Sequence, residues 1–234
     1  MLEQLRYQYG RLERLVEAEN ARRRARTIGP VDSSMDVIEA RTGNEALEYM
    51  RLATGEHYPH RLSTQRIGSQ PWREEDRAFR YALDCHDDGA HFEFVVGVGD
   101  PPAGSEDDWL HFGYGPEPSR LLDPGEWFIV LGNYVALAQR LQERMQARGS
   151  STIEEIEEIS DYIVRARAAA LEVLKFASAG SDEISPSTIR TAFGRQAYRE
   201  RSEQFRRSVL EKGIADAELA LEKWAALVEE ADRP

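Results

Sequence analysis

The chain has 234 residues, 41% of them hydrophobic and 31% charged, which suits one large or two small globular domains and lies well above a disordered composition. Cys85 is the only cysteine, excluding an intrachain disulfide and a cysteine-built zinc site. The formal net charge of −12 is unevenly placed: residues 84–126 hold eleven acids against Arg120 alone, whereas residues 1–26 hold seven arginines against four glutamates.

In chain order, Leu2, Leu5, Tyr9, Leu12 and Val16 alternate in steps of three and four, predicting a helix from residue 2 to about residue 24 with a coiled-coil-like seam. Its length favours packing on the body or against a second copy over an independent coiled coil. Arg22-Arg23-Arg24-Ala25-Arg26 follows, as suits a helix C-terminus, and Gly29-Pro30 breaks the pattern. The first twenty residues lack the apolar core of a signal peptide, and no run approaches the roughly 20 apolar residues of a membrane span. The expectation is a soluble cytoplasmic protein with no membrane partner. Lys175, Lys212 and Lys223 are the only lysines; with the abundance of Arg, Ala and Gly this points to GC-rich coding and a bacterial source.

The stretch Val37-Ile38-Glu39-Ala40-Arg41-Thr42-Gly43-Asn44-Glu45-Ala46-Leu47 resembles the second strand and helix of bacterial receiver domains over about a dozen residues. A receiver also needs an acidic pair after its first strand and a phosphorylatable Asp after its third, and this chain supplies neither. What remains is a strand or extended piece followed by a helix, with Thr42 and Glu45 as a capping box and Gly55 as the stop.

Residues 55–76 read as loop, punctuated by Gly55, Pro59, Gly68 and Pro71. Two alternating runs follow. Phe79, Tyr81, Leu83 and Cys85 share one face of the first, and Phe92, Phe94, Val96 and Val98 share one face of the second. Asp87-Asp88-Gly89 between them is a hairpin turn signal. Trp109–Tyr114 supplies a third strand after the loop Asp100–Ser105. A long helix then opens at Asp123-Pro124-Gly125-Glu126, where Asp123 caps, Pro124 takes the first helical position and Glu126 completes a capping box. Trp127, Val130, Leu131, Tyr134, Leu137, Leu141 and Met145 form its buried stripe.

From Ser151 the chain reads as helical. Ser151-Thr152-Ile153-Glu154 is a further capping box, and Ile156, Ile159, Ile163, Ala166, Ala170 and Val173 keep a heptad. Ser185-Pro186 starts another helix, whose second half carries Leu210, Ile214, Ala217, Leu221, Trp224 and Val228 at four- and three-residue steps; Gly213 either splits it or is tolerated within it. The expected fold class is α+β: a small antiparallel β-meander of three to four strands packed by a long helix, followed by a helical C-terminal bundle. The expected organisation is an N-terminal helix over 1–30, an α+β domain over 31–148 and a helical region over 149–234.

Several clusters suggest chemistry. Asp84-Cys85-His86-Asp87-Asp88-Gly89-Ala90-His91 contains metal-ligand and nucleophile types, but neighbours in a tight hairpin point to opposite faces, and His86 and Val95 stand where a calcium loop requires acids. Cys85 shares its face with Phe79, Tyr81 and Leu83, the pattern of a core thiol. His57 and His60 have no obvious third ligand, and the acidic run Glu154–Asp161 has no histidine after His111 to complete a di-iron motif. Gly97-x-Gly99 and Gly113-x-Gly115 lack the third glycine of a dinucleotide site. His91, Glu93 and His111 fall on the outer face of neighbouring strands. Arg190, Arg195, Arg199, Arg201, Arg206 and Arg207 with Phe193, Tyr198 and Phe205 make a basic, aromatic segment; interleaved Glu200, Glu203 and Glu211 suggest intrahelical pairing, so nucleic acid is not expected.

The leading expectation is a non-enzymatic protein-binding module whose acidic 84–126 region engages a basic protein, as an immunity protein or antitoxin would. Asp87, Asp88, Glu106, Asp107, Asp108, Trp109 and His111 are the partner-binding candidates. No catalytic residue, metal or cofactor is expected. The alternatives are a metal-dependent or Cys/His hydrolase using Asp84, His86, Asp87 and His91, and a homo-oligomeric helical scaffold with a homodimer formed through its helices.

Overall fold

The computed structural model describes residues 37–54, 62–67, 78–85, 91–99 and 112–231. The chain divides into two compact units, Met1–Pro102 and Ala103–Pro234. The expected N-terminal helix lies outside the described residues. No helix among the described residues is long and apolar enough to cross a membrane.

The first unit is built on four strands, β1 (Ile38–Ala40), β2 (Leu62–Ile67), β3 (Ala78–Cys85) and β4 (His91–Val98), in the order β1-β4-β3-β2. Strands β2, β3 and β4 form an antiparallel meander, while β1 pairs parallel to β4 with Ile38 opposite Val96. The sheet is therefore mixed rather than purely antiparallel. The hairpin register sets Phe79 opposite Val96, Tyr81 opposite Phe94 and Leu83 opposite Phe92, so the two alternating runs share one face. Leu83, Phe92, Phe94 and Val96 are buried there. The other face also buries its middle, at Ala78, Ala82 and Val95.

Strand β2 falls where the sequence reads as loop. Its centre, Ser63-Thr64-Gln65-Arg66, has no apolar alternation because β2 is an edge strand whose Thr64, Gln65 and Arg66 are exposed. Pairing to β3 holds it in place, and the Arg66 guanidinium stacks 4.5 Å from the centre of the Phe79 ring. Helix α1 (Gly43–Thr54) packs on β1 and β4. The Glu45 amide donates to Thr42 Oγ1 at 3.0 Å, as expected, but the returning carboxylate accepts from the amide of Arg41 at 2.6 Å, one residue before the cap. A second pair, Arg51 Nη1 with Glu48 Oε1 at 2.7 Å, is almost wholly buried, and both charges must keep each other satisfied.

The second unit begins in irregular chain. Of the expected third strand, Trp109–Tyr114, the residues Trp109–His111 lie outside the described residues, and Phe112–Tyr114 belong to a run of bends that continues through Gly115, at φ of 70°, to Pro116. Phe112 is buried with its ring centre 4.9 Å from that of Trp127. Helices α2 (Pro124–Arg148) and α3 (Ile153–Leu174) then form an antiparallel hairpin. Between them Gly149 adopts φ of 72°, where its amide can donate back to Met145 and Gln146. The expected stripe of α2 is buried at Trp127, Val130, Tyr134, Leu137, Leu141 and Met145 but only half-buried at Leu131, and Pro124–Val130 are buried all round. In α3 the cap is Thr152 with Glu155, one residue later than the sequence suggests.

A single 3₁₀ turn at Pro186–Thr188 replaces the helix expected from Ser185-Pro186. Helix α4 (Ala192–Arg201) begins later, capped by Thr191, and packs on α2. A 3₁₀ turn at Ser202–Phe205 and an extended Arg206 separate it from α5 (Arg207–Ala231), which packs on α3. The break is there because Phe205 turns inward to meet Phe128, ring centres 4.3 Å apart, and not at Gly213, which lies within α5.

Candidate functional site

All seven residues expected to bind a partner, Asp87, Asp88, Glu106, Asp107, Asp108, Trp109 and His111, lie outside the described residues, as do His57, His60 and His86. The side chain of Cys85 is outside them too. What the structure describes of the polar chemistry falls in two places, one in each unit.

The first is the outer face of the β3–β4 hairpin. Asp84 and His91 are direct cross-strand partners, and His91 Nδ1 lies 2.6 Å from Asp84 Oδ1. Glu93, two residues along β4, shares this face; its Oε1 is 3.5 Å from His91 Nε2 and its other oxygen accepts from Arg80 of β3. The result is a chain Asp84–His91–Glu93–Arg80 running from the hairpin end toward the strand middle. The side chains of His91 and Asp84 are about half exposed, 53% and 51%, while those of Arg80 and Glu93 are 28% and 21% exposed. The hydrogen bond to Asp84, reinforced by Glu93, raises the His91 pKa above its ordinary 6.5. The Arg80 hydrogen bond lowers that of Glu93.

This arrangement joins Asp84 and His91 from the expected cluster, and its chemistry is that of an imidazolium held between carboxylates. A catalytic dyad needs one imidazole nitrogen on its carboxylate and the other facing a nucleophile or water. Here Nε2 faces Glu93, which Arg80 already holds. Among the described residues, no three His, Cys, Asp or Glu form a group that could hold a metal ion.

The second place surrounds the start of α4, and it changes the meaning of the acidic region. Asp123 is fully buried and Glu126 is 3% exposed. Asp123 Oδ1 accepts from the Glu126 amide at 2.9 Å, and Glu126 Oε2 accepts from the Asp123 amide at 3.1 Å, the expected capping box. Asp123 Oδ2 additionally accepts from the amides of Arg190 and Thr191 at 2.8 and 2.7 Å, and from Thr191 Oγ1 at 2.9 Å. One carboxylate thus serves the entry of both α2 and α4. The signal for the first role was local; nothing in the sequence pairs residue 123 with residues 190 and 191. Two of the eleven acids therefore belong to the interior.

Around this node the basic segment resolves into parts. Glu203 pairs with Arg206 at 2.9 Å and Glu211 with Arg207 at 3.6 Å, as interleaving suggests. Glu200 instead accepts from Gln196, and Arg190, Arg195, Arg199 and Arg201 have no carboxylate ion-pair partner among the described residues. Arg195 Nη1 donates to the carbonyl of Arg190 at 2.8 Å and Arg199 Nη2 to Gln196 Oε1 at 2.6 Å, contacts that leave their charge uncompensated. Phe193 and Phe205 are buried, and Tyr198 lies edge-on against Phe205 at 5.1 Å. Comparison of the chain with models of known protein families, with curated proteins and with solved structures gives no match.

Proposed function

We propose that the chain is a non-enzymatic protein-binding module, acting in the cytoplasm, whose acidic 84–126 region engages a basic protein partner in the manner of an immunity protein or antitoxin. The observation that carries this reading is the concentration of eleven acids against Arg120 alone in that stretch. Removing the buried pair Asp123 and Glu126 still leaves a strong excess, with Asp84 half exposed at the hairpin end. Complementary charge of this kind accelerates encounter and selects partners. Both His91 nitrogens face carboxylates, at 2.6 and 3.5 Å, an arrangement that favours a charged, binding role for this histidine over that of a general base.

The test is capture from the native host at low salt, using the wild-type chain and a D107N/D108N variant as parallel baits. A basic protein held by the wild type, released by moderate salt and depleted on the variant is the expected result. Equal retention on both baits, unmoved by salt, would end this reading.

A further inference from the structure

We infer that the outer side of α4 carries a binding site, independent of the acidic region, for the phosphate group of a soluble small molecule, held between Arg195 and Arg199. Phe193, Gly194 and Ala197 turn one side of this helix inward. Arg195 and Arg199 stand one turn apart on the opposite side, and both are exposed; Arg201, by the helical period, falls on a different side. Like charges four residues apart destabilise a helix until an anion answers them. The only acid of α4, Glu200, accepts from Gln196 instead. Gln196 Oε1 in turn accepts from Arg199 Nη2 at 2.6 Å, so a neutral amide stands where a carboxylate would have neutralised the pair.

Both guanidinium groups are held in place with donors to spare. Arg195 Nη1 donates to the carbonyl oxygens of Arg190 and Ile189 at 2.8 and 3.5 Å, which folds the side chain back along the helix entry. Its Nε and Nη2, and the Nε and Nη1 of Arg199, make no hydrogen bond among the described residues. Residues four apart on a helix are about 5 to 6 Å apart at Cβ, a span that one tetrahedral group bridges. A single carboxylate would bring one charge to two arginines. A phosphate monoester brings about 1.5 to 2 negative charges at neutral pH and three acceptor oxygens, so it answers both. The −12 charge of the whole chain opposes this only weakly, because at about 0.1 M salt exposed charges beyond roughly 10 Å are screened. A polynucleotide would need a row of cations, and with Arg201 on another side α4 offers one site rather than a row.

An NMR titration of the full chain with inorganic phosphate, at ionic strength held constant with sodium chloride, tests this directly. The Nε–H signals of Arg195 and Arg199 should move together and saturate, with a dissociation constant of about 1 mM or below. R195Q and R199Q, each folded by circular dichroism, should each weaken binding about tenfold or more. Gln196→Glu should do the same with both arginines in place, because it supplies the carboxylate that the pair lacks. Shifts that grow linearly with phosphate and never saturate overturn the inference, as does saturable binding that ignores both arginine substitutions. So does a response of these two arginines to a duplex oligonucleotide with none to phosphate.

Discussion

A carboxylate with no exposed surface is costly unless hydrogen bonds replace its water, and at Asp123 four donors do so, three of them backbone amides. The charge that a composition count assigns to the surface is, at this residue, a joint between two helix entries. His91 is the opposite case, a charge in the open whose partners decide its titration. Asp84 and Glu93 raise its pKa above 6.5, so its stabilising contribution is fully present below pH 6.5 and is lost as pH rises through the folded value. Glu93, lowered by Arg80, loses its own contribution only as pH falls through its depressed value. Because His91 is 53% exposed, screening keeps its contribution at or below about 1 kcal/mol. An NMR titration of the His91 ring should give a midpoint above 6.5 that falls in Asp84→Asn. A midpoint at or below 6.5 in the wild type would mean that the cross-strand bond does not persist in solution.

Glycines separate the elements that tolerate change from those that do not. A Cβ on Gly125 of α2 would sit 2.4 Å from the Cα of Gly194 in α4, and one on Gly194 would sit 2.4 Å from Asp123 Oδ1. Both helices must therefore be bare where they cross. Gly213, in the middle of α5, has nothing within 4 Å of its would-be Cβ. Gly213→Ala should stabilise by about 0.5 to 1 kcal/mol through helix propensity, whereas Gly125→Ala should destabilise by about 2 kcal/mol or more by forcing α2 and α4 apart. Urea midpoints read by circular dichroism decide it, and a Gly125→Ala protein as stable as wild type would refute the close crossing. The same elements show what a sequence can carry. The α2 capping box, its buried stripe and the β3–β4 faces were legible because their signals lie within a few residues of one another. Strand β2 was not, because an edge strand with a polar centre is held by its neighbour rather than by its own pattern. The helix break at Phe205 was not, because a distant Phe128 causes it. At the candidate site, the sequence groups Asp84 and His91 in one cluster, but their cross-strand pairing follows from the strand register. The link from Asp123 to Thr191 and the unneutralised arginines needed the folded chain.

Over the whole molecule, charge is segregated rather than merely negative. The fold internalises Asp123 and Glu126 and pairs Glu93 with Arg80 along the β3–β4 face, while Arg195 and Arg199 of α4 have no carboxylate ion-pair partner among the described residues. Segregation of this kind acts on rates before it acts on affinity, because long-range attraction steers encounter and short-range packing sets residence time. For a basic partner of the acidic region, raising ionic strength should slow association by about tenfold or more while changing dissociation little. The D107N/D108N variant should start from a slower association rate and show a shallower dependence on salt, since part of the steering field is already gone. Stopped-flow or surface-based kinetics over a salt series would resolve the two rates. If salt and the two neutralisations acted on dissociation alone, the acids would be making close contacts rather than steering. If they acted on neither rate, the acidic stretch would serve solubility and the binding surface would lie elsewhere.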